Sequence, residues 1–386
     1  PVIFFFFSRE RVESSSRQLA NQMSVIPNRN EIKDKYNIVF NDLTPEEINL
    51  LNLDEHMWMW SRGVGFHHAG LAPIVKEFVE YLFLNKYIKY LFATETLALG
   101  INMPAKSIYI DRLHKYDGIK TRPLTQSEFL QLSGRAGRRG IDDKGFAFLS
   151  YDKNINRDWY SNLFTLKPND LISAFSVNYS SILNLLNLYS VDESVELLQK
   201  SFFAYQNNYK TEKLENIFYA KYGVLKELGF INSDKGNVLT QTYRDNLIPG
   251  IYLLNREVNK NFELKLMFIS TGITNERAEF AISDKFDFLL SSFQSSLEFV
   301  NKTESLNGVK KLMTLNFSWF SVFYEYMKTN NIEYVINKFG LNVGDFIKVA
   351  KEASELSKKL SLIYEDKDFE QINNIFDNNL IQKTMT

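Results

Sequence analysis

Four short apolar runs constrain this chain most. Val2 to Phe7, Ile88 to Ala93, Ser107 to Ile110 and Phe146 to Ser150 are apolar at successive positions, with little alternation. A strand with one wet face alternates, whereas a strand apolar on both faces belongs in a parallel sheet covered on both sides. Helical patterns separate the runs, at Ser8 or Arg9 to about Val25, Thr44 to about Trp60 and Pro73 to Leu84, with a short strand at Gly63 to His67. Strands alternating with helices predict one parallel α/β domain over 1–152. Thr44-Pro45-Glu46-Glu47 is a helix start, with Thr44 as N-cap, Pro45 first in the helix and Glu47 closing a capping box. Pro27 to Asn41 reads as a polar loop.

The pattern changes after Asp152. Leu171 to Leu188 is apolar at helical spacing, and a helix is expected from about Leu214 to Leu228. Asp234-Lys235-Gly236 between apolar runs is a hairpin signal. Helices followed by one hairpin predict a winged helix over 153–246. From about Leu247 the chain reads as mostly helix, with aromatic-rich stretches at Leu312 to Met327 and a periodic one from Phe346 to Ile363. This gives a third, helical bundle domain over 247–386, and its aromatics read as core rather than as base-stacking platforms.

Composition narrows the function classes. The 386 residues are 45% hydrophobic with a net charge of −1, so the chain is globular and any polyanion surface must be a local stripe. Cysteine is absent, which removes disulfides, thiolate metal sites and cysteine nucleophiles. No apolar run has membrane-spanning length and no leader pattern is present, so a cytoplasmic location and no membrane partner are expected. The chain opens at Pro1 straight into a strand, which raises the expectation of a preceding domain.

The stripe lies between Lys106 and Lys144, where nine cationic side chains face five anionic ones. Its centre is Gln131-Leu132-Ser133-Gly134-Arg135-Ala136-Gly137-Arg138. A helix running from Gln126 toward the glycines would hold Gln131, Arg135 and Arg138 on one face. Arginine forks suit phosphate oxygens, so two readings stand: arginine fingers for phosphoryl transfer, or a basic turn that is solvated or holds a polyanion. Three further segments sit at strand ends or turns, where open parallel sheets bind ligands. Gly65-Phe66-His67-His68-Ala69-Gly70-Leu71 is too closely spaced for a zinc pair. It reads either as a phosphate-facing turn or as a structural histidine site. Ala93-Thr94-Glu95-Thr96 through Gly100-Ile101-Asn102-Met103-Pro104 offers hydroxyls and backbone N–H groups to phosphate. Tyr116-Asp117-Gly118 makes the turn of a projecting basic hairpin that includes Lys115.

The strings FHHAGL, FATETLALGINMPAK and QLSGRAGRRGIDDKG, in this order, resemble the superkiller-type superfamily-2 DExH-box RNA helicases and their bacterial relatives. The resemblance covers 1–152 most fully, and more weakly the segments around Leu171 to Phe203 and Leu315 to Leu362. It implies an α/β RecA-like parallel-sheet domain followed by a winged helix and a mostly α-helical domain. It implies ATP and Mg2+ as cofactors and RNA as partner, with DNA as an alternative. Gln131, Arg135 and Arg138 match the motif that reaches ATP phosphates, with Arg135 and Arg138 as arginine fingers. Gly100 and Asn102 match the motif coupling nucleotide to nucleic acid. Thr94 and Thr96 match strand-phosphate contacts, as do His67 and Gly70. Lys115 and Tyr116 lie in the hairpin where such enzymes carry a strand-separating wedge.

The chain also departs from that family. It holds no Gly-Lys-Ser or Gly-Lys-Thr phosphate loop, and Asp54-Glu55-His56 has the wrong spacing for an Asp-Glu-x-His box. The family's long arch insertion is absent between Phe203 and Leu225. The expectation is a C-terminal portion that is inactive alone and works with an N-terminal RecA-like domain, in the same chain or another. A motor-less binding protein is the rival.

Overall fold

The computed structural model describes residues 1–100, 103–117, 120–138, 140–151, 158, 160, 163, 170–208, 211–233, 247, 261–273, 280–310 and 314–377. It divides into two compact units. The first comprises Pro1–Asp170 together with Leu341–Ile347, and the second Leu171–Gly340 with Lys348–Ile381.

The apolar runs of the first unit form a five-stranded parallel sheet. Its strands are β1 (Val2–Phe6), β2 (Val64–His67), β3 (Tyr90–Thr94), β4 (Ser107–Ile110) and β7 (Phe146–Leu149), in the order β2-β3-β1-β4-β7. The central strand β1 pairs Phe4 with Phe92 on one side and with Tyr109 on the other. Ile3 and Phe5 are fully buried, and the Phe4 and Phe92 rings stack at 4.6 Å. Both faces of β1 are therefore packed, which is why its sequence shows no alternation.

The helices of this unit are α1 (Arg9–Gln22), α2 (Arg29–Val39), α3 (Pro45–Leu50), α4 (Leu53–Trp60), α5 (Pro73–Leu84), α6 (Thr96–Gly100) and α7 (Gln126–Ser133). Two differ from the sequence reading. Pro27 to Asn41 is no loop, because α2 occupies most of it; only Ile32 of that helix is buried, so no apolar stripe announces it. The expected helix from Thr44 to Trp60 breaks at Asn52, which is left-handed at φ 50°, and continues as α4. The capping box at Thr44 and Glu47 forms as expected.

Within the second unit the described residues are mainly helical. Its helices include Tyr179–Leu186, Val191–Gln199, Glu212–Glu227, Phe262–Thr271, Asp287–Leu306 and Phe320–Thr329. Leu171 to Val177, expected to open a helix, has no helical structure, and the helix begins at Tyr179 after the Asn178 cap. Trp319, Phe320, Phe323 and Tyr326 are all buried, so these aromatics are core. Lys265, 1% exposed, is held by Asp366 and Asp368 at 2.6 Å each. The hairpin expected at Asp234 to Gly236 lies outside the described residues. Among the described residues no helix is long and apolar enough to cross a membrane.

Candidate functional site

The candidate residues fall at both ends of the sheet. His67, Thr94 and Ile110 end β2, β3 and β4, so the turns after β2 and β3 and the hairpin after β4 share the carboxyl edge. The arginine segment lies at the amino edge, where Ala136 bridges Ala105 just ahead of β4.

The histidine turn directs its polar groups inward. His67 is 6% exposed, and its Nε2 lies 2.7 Å from Glu80 Oε1. The Gly70 N–H donates to His68 Nδ1 at 3.1 Å. That leaves the His68 proton on Nε2, which donates to Glu13 at 3.0 Å. The His68 bond in turn is the main influence holding the Glu13 carboxyl below its ordinary pKa. The Gly70 carbonyl accepts from Gly344 N–H at 2.9 Å, and Arg9 pairs with Asp345 at 2.5 and 3.1 Å. The same turn thus also receives the segment Leu341–Ile347.

After β3, the Thr94 and Thr96 hydroxyls lie 2.9 Å apart, with Thr94 half-buried and Thr96 exposed at the start of α6. Gly100 is the last residue of α6, and Asn102 lies outside the described residues.

The hairpin forms as β5 (His114–Tyr116) against β6 (Thr121–Pro123), in antiparallel register with Lys115 opposite Arg122. Tyr116 is 66% exposed. Two of the hairpin cations, Lys115 and Arg122, face carboxylates, while Lys120 is exposed. Lys115 Nζ reaches Glu95 at 2.7 Å and Glu128 at 2.8 Å, and Arg122 forks onto Glu128 at 2.8 and 2.9 Å. Glu128 belongs to the stripe's own five anions, so only Glu95, from outside it, lowers the excess of four, and by one.

Helix α7 begins with a capping box of Thr125 and Glu128 and ends at Ser133, with Gly134 as its C-cap. Gln131 is exposed on this helix. Arg135 and Arg138 lie beyond it, so the expected helical face carrying all three is replaced by a turn. The helix stops at its Gly134 cap, and Gly137, with a φ of +90°, then takes the backbone out of the helical region. The turn is pinned by Ala105 N–H to the Arg135 carbonyl at 2.9 Å and Gly137 N–H to the Ala105 carbonyl at 2.7 Å. Gly145 packs against it so closely that a Cβ there would sit 2.4 Å from the Ala136 carbonyl. The Arg135 guanidinium donates to the Ala98 carbonyl of α6. Arg138 forks onto Asp142 at 2.7 and 2.8 Å.

Glu95, Glu128 and Asp142 are the site residues that sequence reasoning passed over. Two carried a local signal: Thr125-Gln126-Ser127-Glu128 has capping-box spacing, and Asp142 lies four residues after Arg138. Among the described residues no three His, Asp or Glu side chains converge as a metal ion requires.

No family model matches the chain. Part of it aligns with curated proteins. It is 36% identical over 216 residues to the ATP-dependent RNA helicase mtr4 of Schizosaccharomyces pombe, covering 56% of this chain and 19% of that protein. It is 36% identical over 208 residues to the exosome RNA helicase MTR4 of Homo sapiens, covering 54% and 20%. It is 35% identical over 209 residues to the probable helicase HelY of Mycobacterium tuberculosis, covering 53% and 23%. The chain spans about a fifth of the length of these relatives. Over the aligned half of the chain, these similarities support a Ski-like superfamily-2 DExH-box RNA helicase region.

Proposed function

We propose that this chain supplies the second RecA-like domain of an ATP-dependent RNA helicase, followed by a winged helix at about 153–246 and a helical bundle at 247–386. The observation that carries this reading is the placement of Arg135 and Arg138 at the end of α7, with Arg135 hydrogen-bonded to the same short helix, α6, that starts at Thr96. Nucleic-acid backbone at Thr94 and Thr96 and nucleotide at Arg135 and Arg138 are then joined through one helical turn. Movement of α6 on the RNA side alters the carbonyl that orients Arg135. Tyr116 offers an exposed ring at the hairpin tip for an unstacked base. His67 and Gly70 join Thr94 and Thr96 as strand-facing candidates at the same sheet edge, with His67 Nε2 held by Glu80 at 2.7 Å.

The residues here fit the phosphates of ATP but not Mg2+. Two guanidinium groups and exposed Gln131 suit a γ-phosphate, while the described residues provide no carboxylate set for the cation. ATP and Mg2+ would be held by a separate RecA-like domain with a phosphate loop, and Arg135 and Arg138 would stabilise the charge that develops in transfer. Gly100 and Asn102 belong to the segment linking the two sites.

The test is RNA-stimulated ATP hydrolysis by this chain, alone and mixed with a separately produced phosphate-loop domain. Silence alone and activity on mixing are expected. Activity of the chain alone would overturn the half-site assignment. Silence of an associated mixture would leave a nucleic-acid-binding protein without a motor. Equal stimulation by RNA and DNA strands would remove the RNA preference.

A further inference from the structure

One carboxylate ties together three parts of the first unit. Glu128 Oε2 accepts from the Thr125 N–H at 2.7 Å, closing the first turn of α7. The same carboxylate receives the Arg122 fork from β6 at 2.8 and 2.9 Å and Lys115 Nζ from β5 at 2.8 Å. Lys115 then continues to Glu95, between Thr94 and Thr96, at 2.7 Å. Its side chain is only 14% exposed, so this cation is enclosed by the two acids rather than presented outward. The Arg122 fork is the main influence holding the Glu128 carboxyl well below the usual carboxylate range, with Lys115 and the Thr125 N–H adding to it.

The placement gives this cluster a mechanical meaning. The eight residues of α7 span about 12 Å at 1.5 Å per residue. Glu128 is in the first turn, next to the hairpin, and the other end leads into Arg135 and Arg138. A hairpin attached only by its two ends would swing about them. One braced on Glu128 moves with α7.

We propose that Glu128 is a positioning residue that locks the 113–123 hairpin to α7, the helix that leads into Arg135 and Arg138, with Lys115 as a strut carrying the tie to Glu95 rather than as an RNA contact. The inference rests on the helicase reading above, in which the hairpin parts strands while the arginines act on ATP. The tie makes the two events one motion.

The experiment uses the complete helicase and measures RNA-stimulated ATPase, RNA affinity, thermal midpoint and base pairs opened per ATP. In Glu128→Gln, ATPase and RNA affinity should stay within about twofold while opening per ATP falls about tenfold. Glu95→Gln lies outside the α7 cap and should shift the same ratio by about threefold, and the double variant should be no worse than Glu128→Gln, because both act through one strut. If Glu128→Gln does not fold, Glu95→Gln decides. Parallel loss of ATPase, RNA binding and opening would mean a purely structural role and would overturn the inference. Deletion of Leu113 to Pro123 is the control. If deletion abolishes opening and neither substitution changes the ratio, only the strut fails. If deletion leaves opening unchanged, the wedge reading fails and the strut falls with it.

Discussion

Arg138 lies folded back on Asp142, with Nε and Nη2 at 2.7 and 2.8 Å from the two carboxylate oxygens and its own N–H at 3.0 Å from one of them. A fork occupied by a carboxylate cannot also hold a phosphate. The Arg138 bond brings the Asp142 pKa down to about 2, so no physiological change of pH releases the pair. Only a competing anion can. Arg138→Ala should therefore abolish RNA-stimulated ATPase in the complete enzyme, as loss of an arginine finger costs roughly 10³-fold or more, while RNA binding persists. Asp142→Asn keeps an oxygen for the backbone N–H and removes the competing charge. It should raise ATP hydrolysis without RNA by severalfold. Steady-state kinetics with and without RNA check both, and loss of RNA binding in Arg138→Ala would sink the finger assignment.

Thr94→Val tests the other end of α6. Valine keeps the shape and removes the hydroxyl that meets Thr96 at 2.9 Å. If Thr94 holds a strand phosphate as proposed, one hydrogen bond of about 1–1.5 kcal/mol is lost and RNA affinity should fall roughly tenfold. ATPase at saturating RNA should be retained. Fluorescence anisotropy with a labelled single strand reads the affinity, and an unchanged value would remove Thr94 from the interface.

His56 sets an acid limit on stability. It is fully enclosed, stacked on Phe66 at 4.6 Å and on Trp60 at 5.2 Å, and burial pulls its pKa down to about 4. Glu55 and Glu13 favour its charged form, and His68 and Arg17 oppose it, all more weakly than burial. The unfolded histidine takes its proton near pH 6.5, so protons favour the unfolded chain below that point. Stability should be full above about pH 6.5 and fall toward pH 4, by up to about 1.4 kcal/mol per pH unit. Asp142 contributes nothing in that window, because its loss begins only below its ordinary value of 3.8. Urea unfolding of His56→Phe should show a flatter profile between these limits, and an identical slope would point to another group.

Two glycines near the arginine turn should behave differently. At Gly145 a Cβ meets the backbone of Ala136 and Gly137 within 2.5 Å, so Gly145→Ala must displace the arginine segment. Overpacking of this kind costs about 1–3 kcal/mol, and ATPase should suffer more than stability does. At Gly140, φ is +74° but nothing lies within 4 Å, so Gly140→Ala should cost about 1 kcal/mol with activity largely kept. Thermal denaturation alongside ATPase separates the two cases.

What could be read in advance followed from local rules. Ser107–Ile110 and Pro73–Leu84 match their expected bounds because both are dense in buried apolar residues. Helix α2 was hidden because Ile32 alone is buried in it. In the site, the cations were legible and their partners were not. Lys115 finds Glu95 across 20 positions, His68 finds Glu13 across 55 and Arg9 finds Asp345 across 336. No local pattern encodes such pairs. That is why Lys115, Arg122 and Arg138, part of a basic stripe in the sequence, are braces in the fold. The helical face at Gln131 failed for a local reason: Gly134 and Gly137 end the helix that would have carried it.

The seat of Leu341–Ile347 on the Gly70 turn has a consequence for biosynthesis. A ribosome adding 5–20 residues per second reaches residue 347 roughly 10–35 s after residue 170. Through that interval β2 and α1 are already made, yet the Gly70 carbonyl has no Gly344 N–H and Arg9 no Asp345. The first unit must therefore persist half-braced in the nascent chain, and its last contact is also among its most distant in sequence. Chaperones and proteases would meet this unit in that unfinished form, before residue 347 leaves the ribosome.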